Sequence, residues 1–280
     1  MTTGAGNSQP DPALPASLCA GRRVLFPAGA LCQSFGVKDK ITPQFRPTRL
    51  GPCFCGSGSR FKDCCGSAAP GRPPPYGVHV VHDFLDEAAC HKLLEGLKHQ
   101  PRRPLGTIAQ PGDSELMEAE YGPGRITDDV EAGDMRETIN RHVRRAMEAP
   151  IAEAVGRPFA WYERPQVLRY ETGGQYIQHA DSEILLPGVR AWFKNIDRDI
   201  SLLIYLNDDF EGGGLEFVKF NYTHRPRAGD LVFFPSDHRY THQALPVTAG
   251  LRWVIVSWSA FADEPKVLEE PIPESIPLAG

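Results

Sequence analysis

His179, Ala180 and Asp181, followed by His242 and then Arg252, have types and an order that could do chemistry. Two imidazoles and one carboxylate on one face of a metal leave its other positions open for an oxidant and a substrate. That is the ligand set of non-haem iron(II). An arginine within reach adds a planar fork that grips a carboxylate with two hydrogen bonds, so an acidic co-substrate is expected beside the metal. His-x-Asp by itself is also what a solvated turn looks like. The weight comes from the residues downstream.

The elements around these residues must bring them together. Gln166 to Tyr170 suits a strand, Gly173-Gly174 a turn, and Gln175 to His179 resumes extended character. Side chains alternate along a strand, so His179 and Asp181 point one way and Ala180 the other. ISLLIYLN (200–207), LEFVKF (215–220), LVFFP (231–235) and LRWVIVSW (251–258) read as strands, with turns at 211–214, 227–230 and 248–250. Short strands with regular turn signals indicate an all-β sandwich or barrel. In the last strand Arg252, Val254, Val256 and Trp258 share a face. If that face is the core, the guanidinium needs an anion. If Trp253 and Ile255 face the core instead, Arg252 lies in solvent; the pattern leaves both open.

A second cluster of ligating residues precedes these strands. Cys53 and Cys55 are followed, after eight residues, by the adjacent Cys64 and Cys65, with Gly56-Ser57-Gly58 to permit tight turns. Four thiols in so short a window suit a closed, tetrahedral zinc site. Two disulfides are the alternative, disfavoured because adjacent cysteines bridge to close neighbours only with strain. The segment is similar to the SEC-C zinc motif, including its basic Arg60 and Lys62. That resemblance implies a docking module for a protein or ribosome-associated partner; a folding staple for a segment too small for its own core is the plainer reading.

Residues 76–262 resemble the prolyl-4-hydroxylase-type branch of the iron(II)- and 2-oxoglutarate-dependent dioxygenases. The resemblance rests on VLRYETGGQYIQHADS, ISLLIYLNDDFEGGGLEF and RAGDLVFFPSDHRYTHQALPVTAGLRWVIVSW, with the lead-in VHVVHDFLDEAACHKLL. It covers about two-thirds of the chain. It implies a fold that is mainly β with flanking helices, a double-stranded β-helix (jelly-roll) core beside the small N-terminal zinc module. It also implies that His179, Asp181 and His242 hold iron, that Arg252 binds the distal carboxylate of 2-oxoglutarate, and that Tyr205 supports it. Tyr170 would line the co-substrate pocket, Tyr176 flank the metal, and Trp258 face the site interior. For each aromatic, ordinary strand packing is the competing account. His238 is expected as a loop residue or near the site entrance, and His224 as a turn residue. The chemistry implied is hydroxylation of a C–H bond with 2-oxoglutarate and O2 consumed and ascorbate in support.

Composition and organisation set the bounds. The 280 residues carry a net charge of −5 and 41% hydrophobic residues, which allows a core and makes no general case for nucleic acid or membrane. No apolar stretch has bilayer length, and residues 1–17 lack the pattern of a signal peptide, so a reducing cytoplasm is expected. The expected organisation is a flexible N-terminal segment (1–49), the zinc motif (50–67), a Pro/Gly-rich linker (68–76), the dioxygenase domain (77–265) and a flexible tail (266–280). Within the domain, helices are expected at about 86–99 and 134–148. The polar stretch 104–133 corresponds in the family to a loop that folds over a peptide substrate, with Arg125 and Tyr121 as contact residues. Ser182 to Asp199 is a second such segment, carrying Trp192, Phe193 and Lys194. The leading reading is hydroxylation of a prolyl residue in an intracellular protein. The same chemistry on a free amino acid or other small molecule, and a non-catalytic metal-binding sensor or adaptor, are the alternatives.

Overall fold

Nineteen short strands and three helices are assigned among the residues that the computed structural model describes, 41–43, 47–67, 71–105, 124–186 and 191–278. In chain order the first strands are β1 (Ile41–Pro43), β2 (His79–Val81), β3 (Arg102–Pro104), β4 (Arg125–Ile126), β5 (Asp128–Val130), β6 (Phe159–Tyr162) and β7 (Gln166–Tyr170). There follow β8 (Gln175–His179), β9 (Glu183–Leu186), β10 (Ala191–Lys194), β11 (Ile200–Tyr205), β12 (Glu211–Gly212) and β13 (Leu215–Phe217). The last are β14 (Tyr222–His224), β15 (Leu231–Pro235), β16 (His242–Ala244), β17 (Val247–Ala249), β18 (Arg252–Phe261) and β19 (Ile276–Pro277). The helices are α1 (Glu87–Leu97), α2 (Arg136–Ala146) and α3 (Ala152–Val155).

Two antiparallel sheets form the double-stranded β-helix. The larger runs β2-β15-β11-β18-β7-β5-β3, with β6 and β19 added beside β18. The smaller runs β14-β13-β16-β8-β4. Their facing residues, Leu168, Leu203, Val254 and Val256 on one side and Leu215, Phe217 and Ala244 on the other, belong to one buried cluster. The opposite face of the larger sheet, with Val167, Ile204 and Ile255, is covered by Leu93 and Leu97 of α1 and Ile139 and Val143 of α2. Both faces of that sheet are therefore buried, which is why β11 and β18 read as nearly unbroken apolar runs. Asp86 caps α1 by accepting from the Ala89 amide at 2.7 Å. Beyond α2 a π-helical turn, Met147–Ile151, accommodates Pro150 and leads into α3.

Several expectations are corrected. LEFVKF extends only to Phe217; Val218–Phe220 turns as a 3-10 helix so that Phe220 points into the core. Val247–Ala249, expected partly as a turn, is a strand paired with β12. The segment after Asp181 is ordered as the β9–β10 hairpin, with β1 paired along β10. Residues 266–278 are not a loose tail: the Val267 and Leu268 amides donate to Asp197, and β19 pairs with β6. The expectations for 1–40 and for 106–123, including Tyr121, lie outside the described residues.

Candidate metal centre

β8 and β16 lie side by side in the smaller sheet with His179 opposite His242. Because paired residues on adjacent strands project to the same face, this register alone brings the two imidazoles together. Their ring centroids are 4.4 Å apart. Asp181, just past the end of β8, sets Oδ1 3.4 Å from His179 Nε2 and Oδ2 3.6 Å from His242 Nε2. All three ligating atoms fall within 4.8 Å of one another, a spacing that fits three ligands around one ion.

The surroundings fix which atoms face the metal position. His179 Nδ1–H donates to the Ile177 carbonyl at 2.8 Å, and His242 Nδ1–H to the Tyr240 carbonyl at 3.0 Å. Both Nε2 lone pairs are thereby turned inward. Burial and the neighbouring His179 push His242 down to about 4, so it is a neutral ligand at ordinary pH. Burial alone would raise Asp181, but the two histidines and Ser201 overcome it and hold the carboxyl well below the usual range. Ser201 Oγ donates to Asp181 Oδ2 at 2.6 Å and lies 2.8 Å from Ser236 Oγ. Tyr176 stacks on His179 at 3.7 Å, while Phe217 and Phe234 pack against His242 and keep water from its inner side.

Arg252 lies on the same inner face as Val254 and Val256, only 1% exposed. Its Nη2 donates to Tyr205 Oη at 3.3 Å, and its guanidinium sits 4.7 Å from the Tyr170 ring centroid. Nε and Nη1 are buried with no hydrogen-bond partner among the described residues. A dry cation with two unpaired donors is costly, and a carboxylate is the group whose chemistry would satisfy them. Burial keeps the Tyr205 hydroxyl protonated despite the nearby Arg252, so it can donate to the same anion. Gly213 (φ +59°) closes this end; a Cβ there would meet Phe210 at 2.9 Å and Arg252 Cδ at 3.2 Å.

The remaining expected residues also have definite places. Arg125, on β4 opposite Tyr176, holds its guanidinium 4.5 Å over the Tyr176 ring, with Nε buried and without a hydrogen-bond partner among the described residues. Trp258 lies under the Arg198 guanidinium at 3.8 Å. His238 is corrected: it is buried, and both its main-chain N–H and its Nδ1 meet Glu183 Oε2 at 2.6 Å. His224 is likewise a buried strand residue, 3.2 Å from Asp230.

Sequence reasoning passed over Ser201, Arg198 and Glu163. Ser201 is the single polar residue in ISLLIYL, which was the available signal. Arg198 grips Glu163 through two bonds of 2.5 and 2.7 Å and donates to the Asp181 carbonyl at 3.4 Å. Nothing in its local sequence marks that role.

The cysteines form a separate knuckle. Gly56 (φ +77°) and Gly58 (φ +73°) make the turn, and the Cys53 amide donates to the Ser59 carbonyl. All four thiols are free, with Cys55 Sγ 3.4 Å from Cys53 Sγ and 3.5 Å from Cys64 Sγ. Four sulfurs around zinc, each at about 2.3 Å, stand roughly 3.8 Å apart, so this donor set fits that ion with little adjustment.

Comparison with known proteins agrees with the geometry at the family level. Residues 165–260 match the 2OG-Fe(II) oxygenase superfamily. A putative prolyl 4-hydroxylase of Acanthamoeba polyphaga mimivirus is 34% identical over 128 residues, covering 40% of this chain and 52% of the relative. A PKHD-type hydroxylase of Synechococcus sp. (strain CC9311) is 26% identical over 185 residues, covering 64% of this chain and 76% of the relative. The crystal structure of a viral collagen prolyl hydroxylase from Paramecium Bursaria Chlorella virus-1 shares 19% identity at a TM-score of 0.45, covering 66% of this chain and 96% of that one. The chain thus spans about half the length of the first of these relatives. Among the described residues no helix is long and apolar enough to cross a membrane.

Proposed function

We propose that this chain, which carries a 2OG-Fe(II) oxygenase domain over residues 165–260, is a 2-oxoglutarate-dependent hydroxylase acting on a prolyl residue of an intracellular protein. The observation that carries the reading is Arg252: a buried guanidinium with two donors that have no partner among the described residues, on the inner face of the larger sheet that packs against the smaller sheet bearing the His–Asp–His triad. His179 Nε2, His242 Nε2 and the Asp181 carboxylate would hold iron(II). Arg252 and Tyr205 take the distal carboxylate of 2-oxoglutarate and so fix the orientation of the co-substrate. When both are bound, iron and co-substrate supply the oxidative decarboxylation that consumes O2, releases succinate and carbon dioxide, and places a hydroxyl group on the substrate.

The chain's own residues do the positioning. Ser201 holds the Asp181 carboxylate by its Oδ2, the main-chain carbonyls of Ile177 and Tyr240 hold the imidazoles, and Phe217 and Phe234 exclude water. Tyr176 and Arg125 stand beside His179 at the outer side, where a substrate residue would be presented. Zinc occupies the cysteine knuckle, which docks a protein or ribosome-associated partner, and ascorbate maintains the iron as iron(II). Free thiols and an iron(II) site support a reducing, cytoplasmic setting. The names of the relatives, a putative prolyl 4-hydroxylase among them, support a prolyl substrate.

Succinate formation from 2-oxoglutarate with iron(II) and ascorbate, in the presence of cytoplasmic lysate protein, tests the reading. Stimulation by that protein, lost in His179→Ala, is the expected result, followed by a +16 Da change on a prolyl residue. Turnover that ignores added protein would overturn the protein substrate, and absence of turnover would overturn the enzyme.

A further inference from the structure

The cysteine knuckle packs against Phe220 and Tyr240, next to the proposed iron site, and a chain of contacts runs from it to His242. The Tyr76 ring meets Phe54 of the knuckle edge-on, with centroids 6.0 Å apart. The Tyr76 carbonyl accepts the Tyr240 hydroxyl at 3.0 Å. The Tyr240 carbonyl accepts Nδ1–H of the iron ligand His242 at 3.0 Å. The main chain at 76–77 is pressed onto the Tyr240 ring: Gly77 has φ +85°, and a Cβ there would lie 2.0 Å from Tyr240 Oη.

Packing reinforces that path. Phe220 lies 5.5 Å from Phe54 and 6.3 Å from Phe61 of the knuckle, and 5.4 Å from Tyr240. Arg72 donates to the Cys65 carbonyl at 2.8 Å and to the Phe220 carbonyl at 2.6 Å, clamping the knuckle to the turn after β13. The partner of the other imidazole, the Ile177 carbonyl, belongs to β8 and lies on a different strand from this path.

We propose that the cysteine centre is a positioning device for His242, acting through Tyr76 and Tyr240, so that metal in the knuckle tightens metal binding at the His–Asp–His site. The proposal rests on the iron and zinc readings above. A segment this small has no core of its own and holds its shape through its metal. When the knuckle loosens, Phe54 and Tyr76 move, the Tyr240 hydroxyl loses its acceptor, and the carbonyl that aims His242 is no longer fixed. Groups that orient a ligand's second nitrogen are worth about 10–100-fold in metal affinity. Coupling is reciprocal, so iron with 2-oxoglutarate must raise zinc affinity by the same factor.

The test is iron(II) affinity, followed by the visible charge-transfer absorbance of the iron–2-oxoglutarate complex in the full-length chain, with zinc content measured on each sample. Cys65→Ser breaks the centre, Tyr240→Phe removes only the relaying hydroxyl, and the double variant closes the cycle. Expected is a roughly tenfold weaker iron Kd in Tyr240→Phe with zinc content unchanged, a similar loss in Cys65→Ser, and little further loss in the double variant. Unchanged iron affinity in Tyr240→Phe, or two losses that simply add, would overturn the coupling. If Cys65→Ser fails to fold, zinc affinity with and without iron and 2-oxoglutarate, in wild type and in Tyr240→Phe, decides instead: equal zinc affinities in the wild type would overturn it. A wild-type protein that binds no iron(II) at all would sink the iron reading itself, a result distinct from intact iron binding without coupling.

Discussion

Arg252 and Ser201 act at the scale of single atoms. Arg252 presents a planar guanidinium whose Nε and Nη1 have no partner among the described residues, a donor array that a lysine ammonium cannot reproduce. Arg252→Lys is therefore expected to raise the 2-oxoglutarate concentration for half-saturation by roughly 10–100-fold, the weight of one charge-assisted hydrogen bond or more. A 2-oxoglutarate titration of succinate formation measures it, and unchanged half-saturation would remove Arg252 from the co-substrate site. Ser201→Ala strips one donor from Asp181 Oδ2 while the strand stays buried. Iron(II) affinity should fall roughly tenfold with the thermal midpoint nearly unchanged; equal affinity would make Ser201 a packing residue.

At the scale of elements, the site depends on register more than on any one contact. Pairing of β8 with β16 sets His179 against His242, and pairing of β18 with β7 sets Arg252 against Tyr170. Asp230, in the turn before β15, locks the neighbouring strands. It receives His82 at 2.7 Å and the Arg227 amide at 3.0 Å, and lies 3.2 Å from His224 of β14. Burial would raise this carboxyl, but His224, His82 and the amide together hold it below its ordinary value. A depressed native pKa gives stability that is fully present above the unfolded value of about 3.9 and is lost as pH falls through the native one. Urea unfolding of wild type and Asp230→Asn should thus differ by a constant amount at neutral pH, and the gap should close below about pH 3.9. A gap that persists in strong acid would mean the contribution is packing.

At the scale of the whole molecule, two segments expected to be accessory are parts of the folded unit. Ile276 and Leu278 pack on the helix side of the larger sheet, and β19 pairs with β6. Ending the chain after Val267 should cost roughly 2–4 kcal/mol of buried apolar surface and lower the thermal midpoint by several degrees. A scan of the truncated protein with an unchanged midpoint would return residues 268–280 to the status of a tail. The knuckle is the other such segment: Cys53, Phe61 and Cys65 share a buried cluster with Phe220 and Tyr240.

Residue identity and strand period together determined a good deal before any coordinates. A period of two places Arg252, Val254, Val256 and Trp258 on one face, and the structure has that alternation. The triad, the cysteine quartet and an all-β sandwich or barrel were legible because ligand chemistry and alternation are local properties of the chain, while the jelly-roll class followed only from the family resemblance. Tertiary structure alone decided that both faces of β18 are buried, so that Arg252 is dry and its Nε and Nη1 have no partner among the described residues. It also decided that His238 bonds Glu183, that Arg198 grips Glu163, and that Tyr76 and Tyr240 link the knuckle to His242. The contacts His238–Glu183, Arg198–Glu163 and Tyr76–Tyr240 join residues 55, 35 and 164 positions apart, and partners at that separation are chosen by sheet pairing and packing, which local sequence does not encode.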